Sequence, residues 1–234
     1  MIAMMTEALL HAGLKEFQVS IGQIEYFKGI CQQAGLSEET ESELRELISG
    51  KNIFGAQELL AGKGVEESYS RMLLKVTEHF GSVQVLKEAR ALAGNSRSLA
   101  AIDRLEKLYH VLCEYGVEKY ISFDLGMLSK YNYYTGVIFK VYTYGVGEPV
   151  AKGGRYDQLP GYFGKEAPAI GFAVVTDDLL AALERQKAAP CVKDEVITLV
   201  YQENQFEEKL AEAKALRKQG KKTALVPEGD NSHE

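Results

Sequence analysis

The stretch Tyr120–Tyr156, YISFDLGMLSKYNYYTGVIFKVYTYGVGEPVAKGGRY, constrains the fold more than any other part of the chain. Up to Gly116 apolar residues recur at helical spacing; from Val117 the period changes to two. Ile121, Phe123, Leu125 and Met127 fall on one side, and Ser122, Asp124, Gly126 and Leu128 on the other. After the polar SKYN segment, Val137, Phe139, Val141 and Thr143 alternate with Ile138, Lys140, Tyr142 and Tyr144. Such alternation marks half-buried strands. Gly145 and Gly147 mark a turn, and a third strand starts at Val150 and reaches Gly153. The expectation is an antiparallel meander over residues 117–153.

Upstream, Ile2, Met5 and Leu9 form the stripe of a first helix that Gly13 ends. Phe17, Val19 and Ile21 then alternate as a short strand. A helix that begins at residue 1 without a cap, feeding a strand with no earlier partner, suggests polypeptide missing upstream. Residues 22–116 read as an array of short helices. Ile24, Phe27, Ile30 and Cys31 share one face; Ser37 caps a helix that carries Glu38 and Glu39 in its first turn and Leu44, Leu47 and Ile48 on its stripe. Asn52 to Leu60 and Met72 to Phe80 read as further helical runs. Asn95 or Ser96 caps a long helix bearing Leu99, Ile102, Leu105, Tyr109 and Leu112. Downstream, APAIGFAVV is a strand followed by a helix through Leu183, residues 187–193 form a linker, and 194–234 open a β-α-β module that stops after its second strand.

Charge and cysteine usage exclude several classes. The formal net charge of −6 argues against an extended nucleic-acid footprint. Cys31, Cys113 and Cys191 are odd in number, far apart and without a C-x-x-C pair, which speaks for free thiols over a disulfide framework or zinc site. His11, His79, His110 and His233 are scattered, so no metal or other cofactor is expected. No apolar run is long enough to span a bilayer, and the apolar start contains Glu7 with no basic leader; the chain reads as cytoplasmic. Phosphate-loop, dinucleotide and nucleophile-elbow motifs are absent.

Gly153 and Gly154 could admit close backbone approach by a ligand, or mark a bend in a strand. Asn132, Tyr133, Tyr134 and Thr135 form a polar turn that a meander would bring near those glycines. Tyr133, Tyr134 and Tyr156 then offer aromatic walls with hydroxyl donors for a small flat ligand, or serve as ordinary sheet residues.

YNYYTGVIFKVYTY, AKGGRYDQL and APAIGFAVVTDDLLAAL, in that order between Phe123 and Leu183, resemble the catalytic core of histidyl-tRNA synthetase. The resemblance implies an α+β fold: a class II aminoacyl-tRNA synthetase-like antiparallel sheet core (1–21 and 117–186, lacking motifs 1 and 2), a helical insertion (22–116) and an incomplete C-terminal α/β module (194–234). Departures from that family fall on its chemistry. Ser129, with Lys130 beside it, stands where the synthetase has an arginine that serves histidine activation, and Asn132 replaces an aspartate. Asp178 stands where motif 3 has an arginine that grips ATP phosphate. An aspartate repels a triphosphate that an arginine would bind. Ser129 and Asp178 are therefore lost catalytic positions.

That pattern, with KEFQVSIGQIEYFKGICQQAGL in the upstream half, resembles the regulatory subunits of ATP phosphoribosyltransferase. The resemblance implies a non-catalytic subunit that joins a short-form catalytic subunit in a hetero-oligomer. It also implies support of the first step of histidine biosynthesis, feedback control by histidine and self-association, with no tRNA or membrane partner. The implied histidine pocket comprises Tyr133, Tyr134, Gly153, Gly154, Arg155 and Tyr156. Two rivals are a fragment of an active histidine–tRNA ligase and a synthetase-like interaction module without a ligand pocket.

Overall fold

In the computed structural model the described residues are 1–129, 133–189 and 196–228. Lys130, Asn132, Cys191 and His233, with parts of the expected linker and terminal segment, lie outside them. The chain divides into two units, residues 1–189 and 190–234.

The first unit begins with α1 (Ile2–His11), whose Ile2, Met5 and Leu9 are buried as a stripe. Strand β1 (Gln18–Gln23) follows, then α2 (Ile24–Gln33), α3 (Glu38–Ser49), α4 (Ile53–Gly62) and α5 (Glu67–Lys75). Side chains cap three of these helices: Gln23 for α2, Ser37 for α3 and Asn52 for α4. Ser37 Oγ accepts from Thr40 N–H at 3.2 Å, and Glu38, Glu39 and Glu41 occupy the positive end of α3. At the other end of α3 the left-handed residue is Lys51, φ +58°, rather than Gly50. A non-glycine residue there costs roughly 1–2 kcal/mol.

Residues 72–80, expected to be helical throughout, split. Helix α5 ends at Lys75, a 3-10 turn covers Val76–Glu78, and Phe80–Gly81 form a two-residue strand β2. After α6 (Gln84–Leu92) comes α7 (Ser96–Glu114), with Ile102, Leu105 and Leu112 buried. Asn95 caps α7: its Oδ1 accepts from Ser98 N–H at 2.7 Å while its Nδ2 donates to Gln33 at 3.0 Å. Gly29 lets α2 approach this cap; a Cβ there would lie 2.6 Å from Asn95 Oδ1 and 2.8 Å from Ser98 N. Asn95→Ala should therefore lower stability by about 1 kcal/mol, read as a shifted denaturant midpoint with an unchanged slope. A midpoint equal to the parent's would show that the cap bond carries no weight.

Four strands complete the sheet: β3 (Ile121–Asp124), β4 (Val137–Tyr142), β5 (Ala151–Arg155) and β6 (Ile170–Val174), before α8 (Thr176–Arg185). Among the described residues the order is β2-β3-β1-β4-β5-β6. The expected meander over 117–153 is thus corrected. β3 and β4 are not neighbours, because β1 lies between them, parallel to β3 and antiparallel to β4. The sheet is mixed, with one parallel pair. The physical reason is burial. Val19 and Ile21 on β1 are fully buried and complete an apolar row with Phe123, Phe139 and Val141. Placed at an edge, β1 would leave these side chains poorly covered.

Register then sorts the faces. Ile21 pairs with Phe123 and Phe139, and Phe139 with Gly153; this apolar face packs with Leu9, Phe27, Ile30 and Leu105 of the helices. Burying a large apolar side chain of this kind contributes roughly 1.5–3 kcal/mol. One residue along, the opposite face reads Ser122, Ser20, Lys140 and Lys152 across β3, β1, β4 and β5. A small satellite cluster of Ile24, Met127 and Ile138 lies apart from the main core, with Tyr134 packed on it.

The second unit contains β7 (Ile197–Tyr201), α9 (Phe206–Lys218) and β8 (Thr223–Pro227). The two strands pair in parallel, from Ile197 against Thr223 to Tyr201 against Pro227. Ala213 of α9 is buried, and the Tyr201 and Phe206 rings meet at 5.2 Å.

Candidate functional site

Three tyrosines come together where β4 begins and β5 ends. The Tyr133 and Tyr134 centroids are 4.4 Å apart, Tyr133 and Tyr156 6.1 Å, and Tyr134 and Tyr156 6.5 Å, the last two edge-to-face. Backbone and side-chain bonds lock this arrangement. Thr135 N–H donates to the Arg155 carbonyl at 2.8 Å, and Tyr156 N–H to that of Ala169 at 2.8 Å. Asp157 N–H donates to Thr135 Oγ1 at 3.1 Å. The Asp157 carboxylate accepts from Arg155 Nε at 2.7 Å and from Ala169 N–H at 3.1 Å. Arg155 is therefore held in a local ion pair that ties the strand end to the following loop.

The glycine pair has a steric cause. A Cβ on Gly153 would lie 2.7 Å from Phe139 Cζ, and one on Gly154 2.6 Å from Tyr134 Cε1. On β6, a Cβ on Gly171 would lie 2.6 Å from the Tyr156 hydroxyl oxygen. Rings of this same chain fill the space that the glycines leave, Phe139 on the core face and Tyr134 and Tyr156 on the other.

Around this cluster the expected site residues divide. Tyr134, Gly153 and Ser129 line a cavity of about 540 Å³, together with Lys51, Lys140 and Lys152. A second cavity of about 380 Å³ shares Ser49, Lys51, Leu128, Lys140 and Tyr142 with it and extends the trough to Asp124. Arg155 instead lines a separate cavity of about 470 Å³ with Gln23, Glu25, Arg104 and Asp157. Tyr133, Gly154 and Tyr156 line none of these three; they form the wall behind Tyr134. Asp178 stands beside Asp177 in the first turn of α8, where carboxylates complement the helix dipole.

Lys51, Lys140, Lys152 and Asp124 were not among the expected site residues. Their one sequence signal is Lys140, a charge within the apolar run VIFKVY. Burial raises the pKa of the Asp124 carboxyl, opposed by the Gly126 and Met127 amides and by Lys140 and Lys51. Burial, then Asp124 and Glu148, likewise raises that of Tyr142. No group of histidine, cysteine and carboxylate side chains that could hold a metal occurs among the described residues.

The mixed sheet, backed by helices on its apolar face, is the class II aminoacyl-tRNA synthetase-like core fold. More narrowly, the chain belongs to the histidyl-tRNA synthetase family, whose model matches residues 1–179. Among curated relatives, it is 40% identical over 222 residues to the ATP phosphoribosyltransferase regulatory subunit of Ruminiclostridium cellulolyticum, covering 94% of this chain and 53% of that protein. The protein of the same name from Acetivibrio thermocellus is 40% identical over 220 residues, 94% of this chain and 52% of the relative. The chain thus spans about half the length of the curated relatives it matches. Among solved structures, an ATP phosphoribosyltransferase regulatory subunit/histidyl-tRNA synthetase from Bacillus halodurans superposes with TM-score 0.78 at 30% identity, covering 98% of this chain and 58% of that one.

Proposed function

We propose that this chain is the synthetase-like part of a non-catalytic, cytoplasmic regulatory subunit of ATP phosphoribosyltransferase. It is required for activity of the short catalytic subunit and for feedback control by histidine in the first step of histidine biosynthesis. The observation that carries this reading is the 40% identity, over 94% of the chain, to proteins of that name. The site's chemistry agrees. By resemblance, Ser129 and Asp178 take the places of cations used in adenylate formation, and Arg155, at the end of β5 beside Tyr156, is paired with Asp157. What supports the reading is the loss of those two cations, although Lys51, Lys140 and Lys152 still line the trough.

Histidine is the proposed ligand of the Tyr133, Tyr134, Gly153, Gly154 and Tyr156 wall, with Arg155 bracing it from behind. Control follows from linkage: a ligand that binds one assembly state more tightly shifts the population toward it, and the catalytic partner follows. Mixing the subunit, as a full-length protein, with the short catalytic subunit should restore phosphoribosyl transfer to ATP, and histidine should suppress the restored rate. A mixture with no complex and no activity overturns the assignment. Histidine-dependent exchange of pyrophosphate into ATP by the subunit alone would make it a ligase instead.

A further inference from the structure

The cavity that Arg155 lines lies on the other side of the sheet from the tyrosine wall. Gln23 pairs with Val137, and Arg155 with Ile170. These four side chains stand two residues along their strands from the row Ile21, Phe139, Gly153 and Phe172, and so on the same, helix-covered face. Ile2 of α1 and Arg104 and Leu108 of α7 border the cavity from the helix side. Gly136 holds its strand end open. A Cβ there would lie 3.6 Å from Arg155 Cδ and 3.7 Å from Gln23 Oε1, so both side chains flank one point.

Hydrogen-bonding capacity is left over around that point. Gln23 is only 4% exposed; its Oε1 accepts from Glu25 N–H at 3.5 Å, while its Nε2 has no partner among the described residues. A buried amide without a partner is destabilising unless something else binds it. Arg155 meets Asp157 through Nε alone, which leaves both its Nη groups. Among the described residues Arg104 makes no ion pair. Glu25 gives Oε2 to Arg97 and keeps Oε1. Two guanidinium groups, Arg104 and Arg155, face two carboxylates, Glu25 and Asp157, so the cavity carries no net charge. Its volume of about 470 Å³ has room for a small molecule, and Leu108, Val137 and Ile170 give it an apolar side.

We infer that this cavity is a second ligand site, for a small zwitterion of the α-amino-acid class with an aliphatic side chain. The carboxylate accepts from Gln23 Nε2 and the Arg155 Nη groups, the kind of charge-assisted pairing that a planar guanidinium makes well. The ammonium donates to Glu25, and the side chain lies against Leu108 and Ile170. A bare carboxylate would leave Glu25 unanswered, and a bare amine would leave the arginines so. The inference does not rest on the proposed histidine wall, which faces the other way.

Calorimetric titration of the chain with L-leucine, isocaproate (no ammonium) and isoamylamine (no carboxylate), at constant ionic strength, tests it. Leucine should bind saturably, and each analogue about ten-fold more weakly, the worth of one hydrogen bond to a charged group. Gln23→Glu keeps the acceptor that caps α2 but sets a carboxylate against that of the ligand; leucine affinity should fall by about ten-fold. Arg104→Gln, at an exposed position, should keep the parent's melting temperature and lose roughly five-fold in affinity. That variant separates a lost site from a misfolded chain. Excess histidine should leave leucine affinity unchanged. Absence of saturable leucine binding, an analogue that binds as tightly as leucine, parent affinity in either variant, or competition by histidine would each overturn the inference.

Discussion

Phe139→Ala should cost about 3–5 kcal/mol of unfolding free energy, the range for deleting a buried aromatic ring. Phe139 has no solvent exposure and sits mid-strand on β4, opposite Ile21 on β1 and Gly153 on β5. Its ring covers the place where Gly153 would carry a side chain. No side chain on that glycine can move in to close the void. Ile21 and Phe123 are held by their own strands and are themselves fully buried, so the cavity stays largely open. Urea unfolding followed by circular dichroism should show the midpoint falling with little change in slope. The exposed Tyr144→Ala serves as a control, expected within about 0.5 kcal/mol of the parent. A Phe139→Ala loss no larger than the control's would mean that the ring is not seated in the core.

The same residues show where reading the sequence succeeded and where it stopped. Helix faces and ends were legible because their causes are local. Ser37 and Asn95 cap their own helices through bonds to residues three positions on, and Gly35 and Gly116 adopt the left-handed turn that stops a helix. Strand order was not legible. The pairing of Val19 with Ile121 spans a hundred residues of helix, and nothing in the local alternation of β3 or β4 says that β1 separates them. Strand β2 escaped notice for a related reason: two residues, Phe80 and Gly81, carry no period. Tyr133 and Tyr134 were placed beside Gly154 by assuming a meander. Tyr134 does lie over Gly154, with Tyr133 beside it, although β4 reaches β5 as a neighbour while β3 does not. The lysine trough was hidden because it needs the register of Lys140 with Lys152 and the backbone turn at Lys51, both set by tertiary structure.

Gly154→Val decides whether the tyrosine wall is built as described, because two effects of opposite sign compete. Glycine within a strand costs about 0.5–1 kcal/mol relative to a residue with a side chain, and valine is a favoured strand residue. Were Gly154 free of steric demands, the substitution would stabilise the chain. The structure puts the new Cβ 2.6 Å from Tyr134 Cε1, 2.7 Å from its Cδ1 and 3.0 Å from the Val137 carbonyl oxygen. That carbonyl belongs to β4 and cannot retreat without parting it from β5. Tyr134 can swing away only by leaving Tyr133, Tyr156 and the Ile24–Met127–Ile138 cluster. Overpacking should win, giving a net loss of about 1–3 kcal/mol. Binding of histidine to the proposed pocket should weaken with it, since the wall is displaced. Gly147→Ala, where a Cβ meets nothing within 4 Å, should be close to neutral. A Gly154→Val chain as stable as the parent, with Gly147→Ala unchanged, would show that Tyr134 does not lie over β5, and the proposed histidine pocket would lose its wall.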